Sequence, residues 1–146
     1  MNKKKRHAIS LVGVLTVMIA FFITPITAFA ATVNYEKIGN YVSTWHIASL
    51  GGQHWTDNGV HMIKVDNQSA FCIEHGVLLN GGSGFEPSEL NSAEKERLSL
   101  ISYYGYQISP TMENYGITQN IIWEEFGDTL LSTQLPNYAN RKNEIL

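Results

Sequence analysis

The chain has 146 residues, with 13 aspartates and glutamates against 10 lysines and arginines. Four of those basic residues fall within positions 1–30, so residues 31–146 carry six cations against all thirteen acids, a net of −7 that argues against nucleic acid or anionic lipid as partner. A single cysteine, Cys72, excludes an internal disulfide, and the length supports one hydrophobic core rather than two.

The elements read in chain order. A basic start (Lys3-Lys4-Lys5-Arg6), an apolar run over 8–23 and the exit Ala28-Phe29-Ala30 form a secretory signal over 1–30. The run is short for a membrane span. Cleavage after Ala30 is expected, leaving a secreted or cell-surface domain over 31–146 with no membrane contact of its own. From 31 to about 58, Tyr35, Ile38, Tyr41, Val42, Trp45 and Ile47, punctuated by Gly39-Asn40 and Gly51-Gly52, predict one or two strands with turns. Residues 60–66 are β-rich, Asp66-Asn67-Gln68-Ser69 is turn chemistry, and 70–74 is short and apolar. With Asn67 and Gln68 at the tip, this hairpin would pair Val65 with Ala70, Ile63 with Cys72 and His61 with Glu74, holding Cys72 on a strand. Asn80-Gly81-Gly82-Ser83-Gly84 reads as a flexible connector.

Helices follow. Asn91-Ser92-Ala93-Glu94 has the form of a capping box, Leu98, Ile101 and Tyr104 recur at helical spacing, and Gly105 is the expected stop. After Pro110, a second helix over about 116–126 puts Gln119, Ile122, Trp123 and Phe126 on one side, ending at Gly127. A short helix over 137–145 closes the chain. The sum is a single α+β domain, a small antiparallel sheet or barrel portion packed with a helical portion.

A lone thiol in an oxidising compartment is buried, used for chemistry, or paired with something other than sulfur. Glutamine on a buried helical stripe calls for a partner. Gln53, Gln68, Gln107 and Gln134 sit in turns or beside prolines, whereas Gln119 lies on an apolar face one turn before Trp123. Attack of Cys72 on the Gln119 carboxamide would release ammonia and store an acyl-sulfur electrophile. Phe71, Ile73, Ile122, Trp123 and Phe126 are suitable lining for the dry pocket such a bond needs.

Phe71-Cys72-Ile73 followed by Thr118-Gln119-Asn120-Ile121-Ile122-Trp123 resembles the thioester domains of Gram-positive bacterial surface adhesins. There an aromatic-Cys-aliphatic motif pairs with a Thr-Gln-x-x-Ile-Trp helix motif. The resemblance implies that Cys72 and Gln119 are the bonded pair and that Thr118 and Trp123 support it. It further implies that the bond captures nucleophiles, lysine amines above all, on host surface or extracellular-matrix proteins, by a single acyl transfer that needs no cofactor. A covalent loop from 72 to 119 would constrain the unfolded chain by about 4 kcal/mol if disulfide loop entropy transfers.

Other readings attach to the same residues. Cys72 could be an inert buried thiol. His61 is the candidate base for bond formation and capture, with His75 second. A secreted cysteine-dependent wall peptidase or amidase would need a histidine to activate Cys72, and many such enzymes place it well downstream, whereas the last histidine here is His75. A non-covalent binding module would use Trp45, Trp55 and the tyrosines. His46, His54 and His61 match no zinc-ligand spacing, so no metal is expected.

Overall fold

A computed structural model describes residues 31–77 and 90–146; the expected signal over 1–30 and the expected connector over 80–84 lie outside the described residues. Among the described residues the architecture is α+β, three α-helices and a four-stranded antiparallel sheet whose strands lie in the order β3 (Gln68–Ala70), β2 (Gln53–Val65), β1 (Val33–Ile47) and β4 (Thr129–Thr133). The long strands β1 (Val33–Ile47) and β2 (Gln53–Val65) form a hairpin through a 3-10 turn at Ala48–Leu50. Gly51 and Gly52, at φ 68° and 78°, turn the chain back. Pairing runs from Val33↔Val65 to Ile47↔Gln53, with register shifts around Gly39. These irregularities bend the sheet as bulges do.

The second hairpin corrects the predicted register. Its tip is Asp66-Asn67, both left-handed at φ 48° and 65°, the backbone of a two-residue turn whose twist matches its strands. Aspartate and asparagine tolerate that region, which Gln68 does not favour. Val65 therefore pairs with Gln68 and Ile63 with Ala70. Strand β3 (Gln68–Ala70) ends there, so Cys72 follows the strand rather than sitting on it, and the ladder never brings His61 opposite Glu74.

Helix α1 (Ser92–Ser102) starts at the expected capping box, with the Asn91 side chain accepting from Glu94 N–H at 2.9 Å and Glu94 Oε2 accepting from Asn91 N–H at 3.0 Å. Gly105 does not stop it. The chain continues through a π-turn, Tyr103–Gln107, where a Cβ on Gly105 would lie 2.3 Å from Thr118 Oγ1. This glycine serves close helix approach rather than termination.

Helix α2 (Met112–Glu125) begins four residues before the predicted 116, because Thr111 caps it by accepting from Asn114 N–H at 3.1 Å. All residues from Tyr115 to Ile122 are buried, so α2 is enclosed on every side. Phe126, expected on the buried face, is instead exposed beyond its end. After Gly127 (φ 96°) comes an unpredicted strand, β4 (Thr129–Thr133), paired with Ser43–His46 of β1, and then α3 (Tyr138–Ile145). Val60, Ile101, Tyr115, Ile117, Ile121, Ile122, Leu135 and Ile145 form the core around α2.

Placing a methyl group at Gly105 therefore overpacks the contact between the π-turn and α2. Gly105→Ala is expected to lose about 2 kcal/mol, read as a lower urea midpoint at unchanged slope.

Candidate functional site

Tyr115 and Gln119 lie one turn apart on α2 and reach the same stretch of backbone. The Tyr115 hydroxyl accepts from Ile63 N–H at 2.9 Å and donates to Ala70 C=O at 2.6 Å, while its ring stacks on Phe71 with centroids 4.8 Å apart. Two residues on, Cys72 N–H donates to Gln119 Oε1 at 2.9 Å and Gln119 Nε2 donates to Cys72 C=O at 2.7 Å. Side chains of a helix thus take over where strand pairing stops. Every polar group in this contact is satisfied, which makes burial of Gln119, 6% exposed, tolerable.

The Cys72 thiol donates to Glu74 C=O at 3.0 Å. Burial pushes the thiol above its ordinary value, and the nearby Glu74 carboxylate adds to the rise, while a backbone hydrogen bond at Glu74 offsets part of it. Cys72 at rest is therefore a protonated, weakly acidic thiol. Its own backbone N–H already polarises the Gln119 carbonyl, in the place where an oxyanion donor would act.

His75 is buried between two aspartates, with Nδ1 2.8 Å from Asp128 Oδ2 and Nε2 2.9 Å from Asp57 Oδ2. It stacks flat on Trp123 at 3.7 Å and meets Trp45 edge-on at 5.0 Å. Asp128 also accepts from Ala48 N–H at 2.8 Å. Both ring nitrogens are engaged, so His75 clamps the Cys72 segment to β2 and to the turn after α2, and its position does not suit it as a free base. Neither Asp57 nor Asp128 stood out in the sequence; no local spacing links residues that meet only through tertiary packing. Tyr115 was missed for the same reason.

A cavity of about 160 Å3 opens beside this contact, lined by Cys72, Gln119, Trp123, His61, Tyr35 and Asn120 among others. His61 stacks on Tyr35, centroids 4.9 Å apart and planes within 6°, and faces Lys37 across the hairpin. Burial, then Lys37, push its imidazole below the ordinary value. The other residues singled out in the sequence stand behind the cavity. Phe71 and Ile73 pack on the core cluster, of which Ile122 is a member. Thr118 bonds back to Asn114 C=O at 2.7 Å under Gly105. His46 and His54 pair across the strands away from His61, and among the described residues no three potential ligands converge.

No family model matches the sequence, and no curated protein is similar to it. Among solved structures, the fold matches the thioester domain of the Staphylococcus aureus TIE protein with a TM-score of 0.62 and 23% identity, over 80% of this chain and 52% of that one. The chain thus spans about half the length of that structure. At this identity the likeness is one of fold.

Because its hydroxyl sits between Ile63 N–H and Ala70 C=O, Tyr115→Phe keeps the ring stack but removes the partner of both groups. A loss of about 1–3 kcal/mol is expected in chemical denaturation, with faster amide exchange at Ile63.

Proposed function

We propose that this is an exported, cell-surface adhesin domain in which Cys72 and Gln119 condense to an internal thioester that later captures an amine, lysine above all, on a host surface or matrix protein. The two-point contact between the Gln119 carboxamide and the Cys72 backbone carries this reading, and the likeness of fold to a thioester domain supports it. In the first step Sγ adds to the carboxamide carbon, the thiol proton passes to the departing nitrogen, and ammonia leaves. Negative charge gathering on Oε1 is met by the Cys72 N–H. In the second step an amine adds to the same carbon, the C–S bond breaks, and the thiol is regenerated, leaving an amide at Gln119. Each molecule reacts once, and no cofactor enters either step.

A half-buried thiol held neutral gains reactivity from proximity to a tethered acyl carbon rather than from acidity. His61, on the cavity wall and biased toward its neutral form, is the base assigned to take the proton from thiol or amine.

Intact mass tests the bond. Wild-type protein is expected to be lighter than the coded chain by one ammonia, and Cys72→Ala to show the full coded mass and a lower melting temperature. Methylamine should add at Gln119 in the wild type alone. A wild-type chain of full coded mass, inert to methylamine, would overturn the proposal.

The base is tested separately. Since burial and Lys37 lower the His61 value, the capture rate per free-base amine should hold through neutral pH and fall only as acid protonates the ring below the usual imidazole range. His61→Gln should slow capture by about a hundredfold and erase that acid limb; an unchanged profile removes His61 from the mechanism.

A further inference from the structure

The cavity holds a polar group that the chemistry of Cys72 and Gln119 does not use. Asn120 follows Gln119 on α2, is 4% exposed, and lines the same cavity. Its amide nitrogen donates to Ser43 Oγ at 3.2 Å, and Ser43 Oγ lies 2.9 Å from Thr133 Oγ1, which also accepts from Leu135 N–H at 3.2 Å. This relay ties the amino end of the carboxamide to the sheet. The other end, Oδ1, receives no hydrogen bond from any described residue. Among the described residues the sealed side-chain atoms without a partner are the indole nitrogens of Trp45 and Trp123, so Oδ1 is in contact with solvent, on a residue that lines the cavity. A carboxamide oxygen that no protein donor occupies, on a side chain otherwise buried, is free to accept from a guest that replaces water there.

We propose that Asn120 Oδ1 is the acceptor that selects and orients the incoming amine. One amine N–H rests on Oδ1, which leaves the nitrogen lone pair to face the acyl carbon of Gln119 in the same cavity. As the nitrogen adds to that carbon it gains positive charge, and its N–H bond to Oδ1 strengthens in the transition state. The C–S bond then breaks, the proton the nitrogen sheds passes by way of His61 to the departing Cys72 thiolate, and Asn120 is unchanged. A sulfur nucleophile brings no N–H and gains nothing from this acceptor. Asn120 is thus a specificity-determining residue for nitrogen over sulfur nucleophiles. The inference rests on the thioester reading, and the two are tested apart.

The experiment compares opening of the thioester by methylamine and by 2-mercaptoethanol in wild type, Asn120→Ala and Asn120→Asp, each first checked by intact mass for loss of ammonia. Asn120→Ala should capture methylamine about tenfold more slowly while reacting with the thiol within about twofold of wild type. Asn120→Asp keeps an acceptor oxygen and should hold the methylamine rate within about threefold. Equal loss toward both nucleophiles, or no loss toward either, in Asn120→Ala would overturn the assignment. If Asn120→Ala does not close its thioester, the aspartate variant decides: a drop in its amine-to-thiol ratio to unselective values overturns the assignment, and a retained ratio supports it. A wild-type chain with no mass deficit would instead bring down the thioester reading on which both depend.

Discussion

The pairing of one side-chain amide with one backbone residue governs the arrangement of this domain. Gln119 offers Cys72 a donor and an acceptor, the same two groups a neighbouring strand would offer. Strand β3 can therefore end at Ala70 without leaving the next backbone groups unpaired. Tyr115 performs the same service one turn earlier, bridging Ile63 and Ala70. The sheet is in effect continued by the side of a helix, and that continuation is what carries a cysteine from the β part onto a glutamine of the α part.

Charge is placed beside this contact rather than within it. His75, Asp57 and Asp128 tie three parts of the chain together behind Trp123, whereas Cys72 itself sees a carbonyl, an amide and a wall that raises its proton affinity. Cysteine nucleophiles that work by acidity sit beside a cation or a helix N-terminus. The environment of Cys72 is of the opposite kind. It is compatible with the proposed thioester, for which a weak nucleophile tethered beside one acyl carbon would suffice.

Much of this was legible in local patterns. The capping box at Asn91, the final helix and the burial of Gln119 follow from residue types at fixed short spacings, and the structure has them. The hairpin was legible as a hairpin, but its register turned on which two residues could take left-handed backbone, and a shift of two moved Cys72 off the strand. Strand β4 escaped notice because Thr129–Thr133 is short and is fixed by pairing with β1 rather than by its own pattern. Gly105 reads as a helix stop in one dimension and as a contact point in three. The clamp around His75 left no trace in the sequence, because its members come from separate elements and share no spacing.

How the Gln119 carboxamide meets the Cys72 backbone is set, finally, by residues that bond to neither. A Cβ on Gly116 would lie 2.9 Å from Val60 and 3.0 Å from Leu135, and one on Gly105 would strike Thr118. Helix α2 therefore lies in a channel with no slack on two sides, one wall being the sheet that leads to Cys72. Displacing reacting groups by about 1 Å can cost a hundredfold in rate, and the smallest side chain added at Gly116 would push α2 by a sizeable part of that. The depth at which the helix seats against Val60 thus fixes how Gln119 meets Cys72, so that core packing and the Cys72–Gln119 contact are two consequences of the same close approach.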